Sequence, residues 1–312
     1  MSISQDYKLI YTSEIISRAK GIIFKYLPVK NKYEFLPFSH GTSDDSIEKL
    51  AELMRNNLLF YCYGEEEIVS SYSRNRFSSL EQAAKYAYIH RLPKRADITD
   101  GLPSEVLLDL LVQITEPDAY KLAVRPIFRQ NDNNEIKGYD LTYFSIQGES
   151  VSLWLGQAKM GDKEYCKGDI NKDLLEKFNK VYLAKQMFFI CDKPVEITSE
   201  GKKLIQIIND IDIAMLDDDP VQRANGLLDC FRKNNVTIKI PCLLAYGQGL
   251  VYKDPTSVFA MIEKETESMQ KYYLARKYEF EGFIPEIYFY IFPIQDLKRI
   301  RNKETGFYAG LW

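Results

Sequence analysis

The stretch GYDLTYFSIQGESVSLWLGQAKM, residues 138–160, predicts two β-strands joined by a tight turn. Aromatic and β-branched side chains alternate with polar ones on both sides of residues 148–149, where Gly-Glu suits a two-residue turn with glycine first. Asp140 lies near the outer end of the first strand, and Gln157 and Lys159 lie near the outer end of the second. The open end of this hairpin therefore carries a carboxylate, an amide and an ammonium.

The turn fixes which residues of the two strands face each other. In that register Asp140 is directly opposite Gln157, with Cβ atoms roughly 4.5–5.5 Å apart. Two oxygens at this separation can share one hard cation such as Mg²⁺, and Lys159 follows on the same face, within reach of water or phosphate. A β-bulge would shift the pairing by one residue. The alternative interpretation is that strand ends are polar because they meet solvent.

The elements around the hairpin alternate between helix and strand, which predicts an α/β fold built on a mixed sheet. A helix capped by Ser104, with Glu105 in its first turn, comes before a predicted strand at residues 120–129. The remaining predicted helices are residues 44–59, 79–89, 169–190, 220–233 and 256–277, and the remaining strands are 58–63, 236–246 and 286–292. Residues 64–67 are expected to form an acidic turn.

A polar segment at residues 91–103 contains proline and glycine, which interrupt both helical and strand periodicity. It is the best candidate for a boundary. We therefore expect an N-terminal α/β region at residues 1–95 and a second region, which carries the hairpin, at residues 96–312.

The composition is that of an ordinary soluble globular protein, with 312 residues, 46% hydrophobic and 27% charged. Five scattered cysteines and only two histidines, His40 and His90, argue against a disulfide framework, a zinc site and a His-based triad. The net charge of −3 gives no general attraction to nucleic acid. No signal peptide and no apolar run of the roughly 18 residues that span a bilayer are present, so a cytoplasmic protein without membrane contact is expected.

The hairpin and the preceding helix resemble the signature of the PD-(D/E)xK nuclease superfamily. That signature has a helix with Glu, an Asp at the start of one strand, and Glu or Gln-x-Lys at the end of the next. Its counterparts here are Glu105, Asp140, Gln157 and Lys159. The Gln-Ala-Lys version is similar to the Mrr-like branch, in which Gln commonly replaces the acidic residue.

Over most of its length the chain also resembles the HamA family, the effector nuclease subunit of Hachiman anti-phage defence. The resemblance rests on three stretches: HGTSDDSIEKLAELMRNNLLFY, the block GYDLTYF…LWLGQAK, and EIYFYIFPIQDL. It implies a restriction-endonuclease-like fold with an α/β N-terminal extension, and a DNA endonuclease that depends on Mg²⁺, with Mn²⁺ as an alternative. It also implies a superfamily 2 helicase (HamB-type) as obligate partner, which would place DNA at the nuclease.

The resemblance implies a role for each residue of the signature. Asp140 is expected to be the central metal ligand, with the side-chain oxygen of Gln157 and the carbonyl of Ala158 beside it. Lys159 is expected to hold the attacking water and to offset charge on phosphorus. Glu105 would be a second metal contact. A neutral amide at position 157 is a departure from the Glu of the family, and weaker metal binding is expected.

Two of these assignments have open alternatives. A Glu in the first turn of a helix also favours the helix dipole, which would explain Glu105 without a metal. Asp109, one turn further on, is an alternative donor.

Basic residues near the hairpin are candidates for contacts with the DNA backbone. They are Arg125 and Arg129 before it and Lys163, Lys167 and Lys172 after it. Each lysine taken singly is better explained as a solvated surface charge, and the case for DNA rests on the group. No element that reads sequence is visible, so cleavage with little sequence preference is expected.

Other features have simpler explanations. Residues 217–219, three aspartates before Pro220, resemble a metal cluster, but a helix cap with proline in the first turn explains them at less cost. The tail DLKRIRNKETGFYAGLW, residues 296–312, either contacts a partner or docks on its own domain. No Walker lysine motif is present, so ATP hydrolysis by this chain is not expected.

Two further hypotheses compete with the nuclease. The chain could be a catalytically weak nuclease-fold module that binds DNA or the helicase, with Gln157 as a sign of lost activity. It could also be an unrelated α/β enzyme with an ordinary hairpin.

Overall fold

A single mixed β-sheet forms the centre of the computed structural model, which describes residues 3–92, 101–124, 138–148, 150–192, 202–214, 216 and 219–312. The strands are β1 (Ile23–Lys25), β2 (Val29–Lys30), β3 (Glu34–His40), β4 (Tyr120–Ala123), β5 (Leu141–Gln147), β6 (Ser150–Gly161), β7 (Val236–Gly247) and β8 (Glu286–Ile294). Their order across the sheet is β1-β3-β8-β7-β6-β5-β4, and β2 also pairs with β3. The predicted α/β class with a mixed sheet is confirmed.

The middle of the sheet is parallel and its two sides are antiparallel. Strands β3, β8, β7 and β6 run in one direction. Strands β5 and β4 continue the sheet from β6 with antiparallel pairing, and β1 and β2 pair antiparallel with β3 at the other side. The carboxyl ends of the parallel strands therefore lie along one edge of the sheet, the edge where the hairpin of β5 and β6 opens.

The hairpin has the register that the sequence predicts. Leu141 pairs with Gly156 and Gln147 pairs with Ser150, without a bulge between them. Gly148 begins the turn with φ of +59°, a conformation that glycine adopts at little cost and that suits a tight hairpin. The turn chemistry and the strand alternation thus agree, and the pairing of Asp140 with the end of β6 follows.

Helices cover both faces of the sheet. They are α1 (Ile3–Tyr11), α2 (Ser17–Ala19), α3 (Ser46–Asn56), α4 (Leu58–Cys62), α5 (Glu65–Ser73), α6 (Leu80–Arg91), α7 (Leu102–Thr115), α8 (Lys163–Glu176), α9 (Lys180–Asp192), α10 (Lys202–Ala214), α11 (Pro220–Lys233), α12 (Val258–Leu274) and α13 (Leu297–Ile300). A π-helical turn, Thr12–Ile16, joins α1 to α2, and a short 3₁₀ helix occupies Gly249–Tyr252.

Each face of the sheet has its own core, because side chains of a strand alternate between faces. Trp154 and Met160 of β6 point to the face covered by α7, and Leu153 and Leu155 point to the face covered by α8. Burial on both faces suits the apolar run Leu153-Trp154-Leu155 in the middle of β6, as is typical of a strand covered on both sides.

Two predictions near the N-terminus are wrong. Residues 58–63 were expected to form a strand, but Leu58–Cys62 is the helix α4, and all five of its side chains are buried. A helix that is apolar on every side has no amphipathic periodicity. A short apolar sequence of this kind therefore cannot be distinguished from a buried strand by its pattern. The expected acidic turn is the start of α5, where three glutamates favour the positive end of the helix dipole.

The helix predicted at residues 169–190 is also wrong in part. The structure has two helices there, α8 and α9, and the helical conformation is interrupted between them at residues 177–179. Leu175, near the end of α8, is 60% exposed although it is apolar. The break leaves Lys177 as the C-terminal cap of α8.

Helix caps agree with the sequence at one place and differ at another. Helix α7 begins after Gly101 rather than after Ser104, with Pro103 in its first turn. Asp219 caps α11, accepting a hydrogen bond from the Val221 amide at 2.8 Å, as predicted. Residues 217 and 218 lie outside the described residues.

The C-terminal tail docks on its own domain. Phe307, Tyr308 and Leu311 are buried in the same core as α7, and Trp312 is 56% exposed. The two alternatives for this segment were partner contact and docking on its own domain. Docking on its own domain accounts for the three buried apolar side chains.

The first 95 residues contribute directly to the sheet, because β3 pairs in parallel with β8. The proposed division into residues 1–95 and 96–312 stays a prediction. Among the residues that the structure describes, none of the helices has both the length and the apolar character needed to cross a membrane.

Candidate active site

The candidate site lies at the carboxyl ends of the parallel strands, the edge where α/β sheets generally bind ligands. Asp140 comes directly before β5, and Gln157, Ala158 and Lys159 belong to the C-terminal half of β6. The antiparallel pairing of these two strands brings Asp140 next to residues 157–159, although the whole hairpin separates them in sequence.

Asp140 is fixed by the main chain of β6. Its amide donates a hydrogen bond to the Gly156 carbonyl at 2.9 Å, and its carboxylate Oδ2 accepts one from the Ala158 amide at 2.8 Å. The carboxylate takes the place of a ladder partner just before β5 begins. Hydrogen bonds to an ionised carboxylate are among the stronger ones in proteins, so this contact holds the charge at a defined point.

Gln157 is fully buried, and both ends of its amide are engaged. Its Nε2 donates to the Gly156 carbonyl at 2.8 Å, and its Oε1 accepts from the ammonium of Lys177 at 2.6 Å. The oxygen assigned to a metal by the sequence thus contacts a lysine that sequence reasoning did not consider.

Lys159 is an ammonium held between carboxylates. Its Nζ lies 2.9 Å from Asp173 Oδ2 and 3.9 Å from Asp169 Oδ2, both on α8. Burial disfavours its charge, but the hydrogen bond to Asp173 and the charges of Asp173 and Asp140 outweigh burial and raise the pKa of Lys159 above its ordinary value. It is therefore positively charged at neutral pH, suited to stabilising negative charge and unsuited to accepting a proton.

A cavity of about 570 Å³ opens beside these residues. Its walls come from α7, the residues just before β5, the end of β6, both ends of α8, the start of α9 and the C-terminal tail. The charged side chains along it are Glu105, Asp140, Lys159, Glu176, Lys177 and Arg301, and Ala158 lies between Asp140 and Lys159 on the same wall. Three of the four residues in the predicted signature, all except Gln157, line this cavity.

Glu105 reaches the cavity from the first turn of α7. It is 5% exposed, and its Oε2 accepts a hydrogen bond from the hydroxyl of Tyr61 at 2.5 Å. A buried Glu held by a tyrosine from α4 is more than a surface charge at a helix N-terminus. The role of Glu105 as a second metal contact stays a prediction.

Asp109, the alternative donor, is the centre of a buried polar network behind the site. It accepts hydrogen bonds from Asn57 at 2.8 Å, Gln113 at 3.0 Å and Tyr143 at 2.5 Å, and Lys121 Nζ lies 3.7 Å from it. Asp109 does not line the large cavity but a much smaller one deeper in the protein. Its contacts favour a structural role.

The lysines expected to grip DNA are partly committed to other contacts. Lys163 pairs with Glu265 at 2.7 Å, and Lys167 is hydrogen-bonded to Glu164 at 2.7 Å. Lys172 is exposed on α8. None of these three lysines lines the cavity.

Arg125 and Arg129 lie outside the described residues, so DNA contact by this whole set stays a prediction.

Two cations of the site were missed by sequence reasoning, namely Lys177 and Arg301. Lys177 comes from the break between α8 and α9, and Arg301 comes from the tail, where its guanidinium donates to the Met160 carbonyl at 3.0 Å. Neither has a fixed spacing from the hairpin. The only available signal was the basic run Lys-Arg-Ile-Arg at residues 298–301, in the tail for which the sequence left partner contact and docking on its own domain open.

The donor atoms at the cavity are hard oxygens. Within the described ranges no group of three or more His, Cys, Asp or Glu side chains could hold a metal ion by itself. Mg²⁺, however, usually binds proteins through one or two carboxylates, keeping waters and substrate phosphates as its other ligands. Asp140 and Glu105 on one cavity fit that smaller requirement.

Comparison with known proteins agrees with the resemblance seen in the sequence. A search of curated proteins finds no match. The family model described as HamA matches residues 22–311, which includes β1 to β8, the cavity and most of the tail. Because the match extends over nearly the whole chain, the protein belongs to the HamA family and is an anti-phage defence protein.

Proposed function

We propose that this protein is a metal-dependent DNA endonuclease that acts as the effector of a bacterial anti-phage defence complex. The reaction is hydrolysis of a phosphodiester bond, and the substrate is DNA with little sequence preference. The HamA family supports the defence role, and the geometry of the hairpin supports the chemistry.

A single observation carries the proposal. Asp140, fixed by the Ala158 amide at 2.8 Å, opens on the same cavity as Lys159, whose ammonium is held at 2.9 Å from Asp173. A carboxylate that can bind a cation and an ammonium that can face a phosphate are thus neighbours at the ligand-binding edge of the sheet. Phosphodiester hydrolysis needs both functions, because negative charge builds on phosphorus during the reaction.

Asp140 and Glu105 would hold Mg²⁺, with Mn²⁺ as a substitute, and the Ala158 carbonyl is a further candidate ligand. When bound, the ion supplies an acidified water as nucleophile and neutralises charge on the phosphate. The amide oxygen of Gln157 is 2.6 Å from Lys177, so its proposed contribution to metal binding requires that side chain to turn.

Lys159 acts through its charge. Its raised pKa keeps the ammonium protonated at neutral pH, so it can orient a water by donating a hydrogen bond and offset charge on the phosphate. Asp173 holds the ammonium in place from α8. Proton removal from the water is not a task that a permanently charged lysine can perform.

A superfamily 2 helicase is the proposed partner. The chain carries a net charge of −3, which gives weak general attraction to a polyanion. A helicase that engages DNA independently would deliver the strand to the cavity, so the nuclease itself needs only local cations there.

The test compares Lys159→Ala with the unchanged protein on plasmid and linear DNA, with and without the helicase, in Mg²⁺ and in EDTA. Expected is Mg²⁺-dependent cleavage, abolished by EDTA and lowered by about 100-fold in Lys159→Ala, the scale of losing one charge-stabilising group. Lys233→Ala is the control. Lys233 is an exposed lysine that pairs with Asp210, and it lies far from Lys159 in the sequence. It should cleave normally.

The second candidate function is a catalytically weak module that binds DNA or the helicase. Buried Gln157, which lacks the charge of Glu and contacts Lys177, favours it. Silence in every cleavage assay together with intact helicase binding would support the module and overturn the nuclease.

A further inference from the structure

Lys177 holds an unusual place between α8 and α9. It is the C-terminal cap of α8, where a lysine ordinarily extends into solvent and interacts with the helix dipole. Here its side chain is only 24% exposed and turns back toward the sheet. It also lines the cavity of the candidate active site. The break in the helix is what brings this cation to the site.

Two neighbours fix the ammonium of Lys177. Gln157 Oε1 accepts its hydrogen bond at 2.6 Å, and Asp173 Oδ2 lies 3.1 Å away. The same Asp173 oxygen lies 2.9 Å from Lys159 Nζ. One carboxylate oxygen therefore serves two ammonium groups, and both ammonium groups belong to residues on the cavity wall.

The direct contacts of Lys177 leave its charge only partly neutralised. Gln157 is neutral, and Asp173 is shared with Lys159, which also lies 3.9 Å from Asp169. A partly buried ammonium in this position gains from a further anion. Glu105, Asp140 and Glu176 also line the cavity, and a divalent cation held by Asp140 and Glu105 would offset the charge of those two. Arg301 adds a third cation to the same wall.

We propose that Lys177 binds a phosphate of the DNA backbone next to the one that is cleaved, and that Gln157 and Asp173 are its positioning residues. This inference rests on the proposed function and deepens it. It gives Gln157 a role of its own: a neutral amide holds the lysine by one hydrogen bond without neutralising it. A substrate phosphate can then compete for the ammonium.

The test uses fluorescence anisotropy to measure binding of a fluorescein-labelled DNA duplex to the full chain. The measurement is made in EDTA and over a range of salt concentrations. Lys177→Met is expected to weaken binding about fivefold and to reduce the slope of log K against log salt by about 1, the loss of one phosphate contact. Lys177→Arg keeps the charge and is expected to restore most of the affinity.

Lys180→Met is the matched control. Lys180 is three residues away at the start of α9, has similar exposure at 22%, and pairs with Glu281 away from the cavity. It should bind DNA like the unchanged protein. Gln157→Leu, which cannot position Lys177, and Gln157→Glu, whose carboxylate would neutralise Lys177, are both expected to weaken binding in the same direction as Lys177→Met.

Cleavage in Mg²⁺, measured on the same variants, separates this inference from the proposed function. Weaker binding by Lys177→Met with no cleavage by any protein would support the phosphate site and overturn the nuclease. Cleavage by the unchanged protein, with Lys177→Met equal to it in both binding and rate, would overturn the phosphate site alone. No DNA binding by the unchanged protein at low salt would also overturn it.

Discussion

The carboxylate of Asp140 accepts a hydrogen bond from the main-chain amide of Ala158 at 2.8 Å, so a side chain completes the pairing of two strands where their ladder ends. This contact separates two roles of one residue. The hydrogen bond requires only an acceptor oxygen, whereas cation binding requires negative charge.

Asp140→Asn is therefore expected to keep the fold and lose the chemistry. Its amide oxygen can still accept from Ala158, so the melting temperature should change little. Metal-dependent cleavage should fall by about 100-fold or more. Asp140→Ala, which lacks the acceptor, should in addition lose about 1–3 kcal/mol of stability because a buried amide is left unpaired. Full activity in Asp140→Asn would refute Asp140 as the metal ligand.

Tyr61→Phe tests the hydrogen bond that holds Glu105. Removing the hydroxyl at 2.5 Å takes a donor from a buried carboxylate, so the unfolding free energy should fall by about 1–3 kcal/mol. The Mg²⁺ concentration needed for half-maximal cleavage should rise. Tyr11→Phe is the control, because its hydroxyl donates to Asn57 at 3.0 Å, away from the cavity. Tyr11→Phe should lower the unfolding free energy but leave the Mg²⁺ concentration for half-maximal cleavage unchanged.

His40 predicts a loss of stability in acid. Its ring is buried, its Nε2 accepts from the Gln295 amide at 3.1 Å, and its Nδ1 contacts the Gly41 carbonyl at 2.7 Å. Burial lowers the pKa of His40 to about 4. Between pH 6.5 and about 4 the unfolded chain binds a proton that the folded protein does not, so stability should fall as pH falls, by roughly 3 kcal/mol in total.

The measurement is the unfolding free energy of the unchanged protein and of His40→Gln at several pH values. The difference between the two should shrink steadily below pH 6.5 and stay constant above it. His90→Gln, at an exposed position, should not show this change. A difference independent of pH would mean that His40 titrates normally in the folded protein.

The tail supplies a prediction about packing. Phe307 is fully buried, so Phe307→Ala should lower the unfolding free energy by about 3–5 kcal/mol, the usual cost of emptying an aromatic site in a core. Trp312→Ala, at a side chain that is 56% exposed, should change it by about 0.5 kcal/mol or less. Denaturant titrations of both variants would measure this, and equal stabilities would contradict docking of the tail.

The hairpin could be predicted from the sequence because every force that shapes it is local. Gly148 selects the turn, alternation selects the faces, and the register of Leu141 with Gly156 follows. Helix α11 could be predicted for the same reason, since Asp219 and Pro220 mark its start. The family signature then identified which polar residues at the strand ends to examine.

What the sequence could not reveal depends on contacts between distant segments. Strand β3 joins the sheet only through β8, about 250 residues later, and no local pattern records that pairing. The hydroxyl of Tyr61 donates a hydrogen bond to Glu105, but Tyr61 lies on a helix, α4, whose apolar sequence predicted a strand. Lys177 reaches Gln157 only because a helix breaks where its periodicity continues.

The pairing of β3 with β8 has a consequence for the order in which the protein is made. A growing chain that has emerged from the ribosome only as far as β7 lacks the strand that lies between β7 and β3, and it also lacks Arg301. Arg301 therefore joins the cavity wall only after β8 has been made. For a protein whose proposed action is to cut DNA, a chain interrupted before β8 would lack one of the cations that face the substrate.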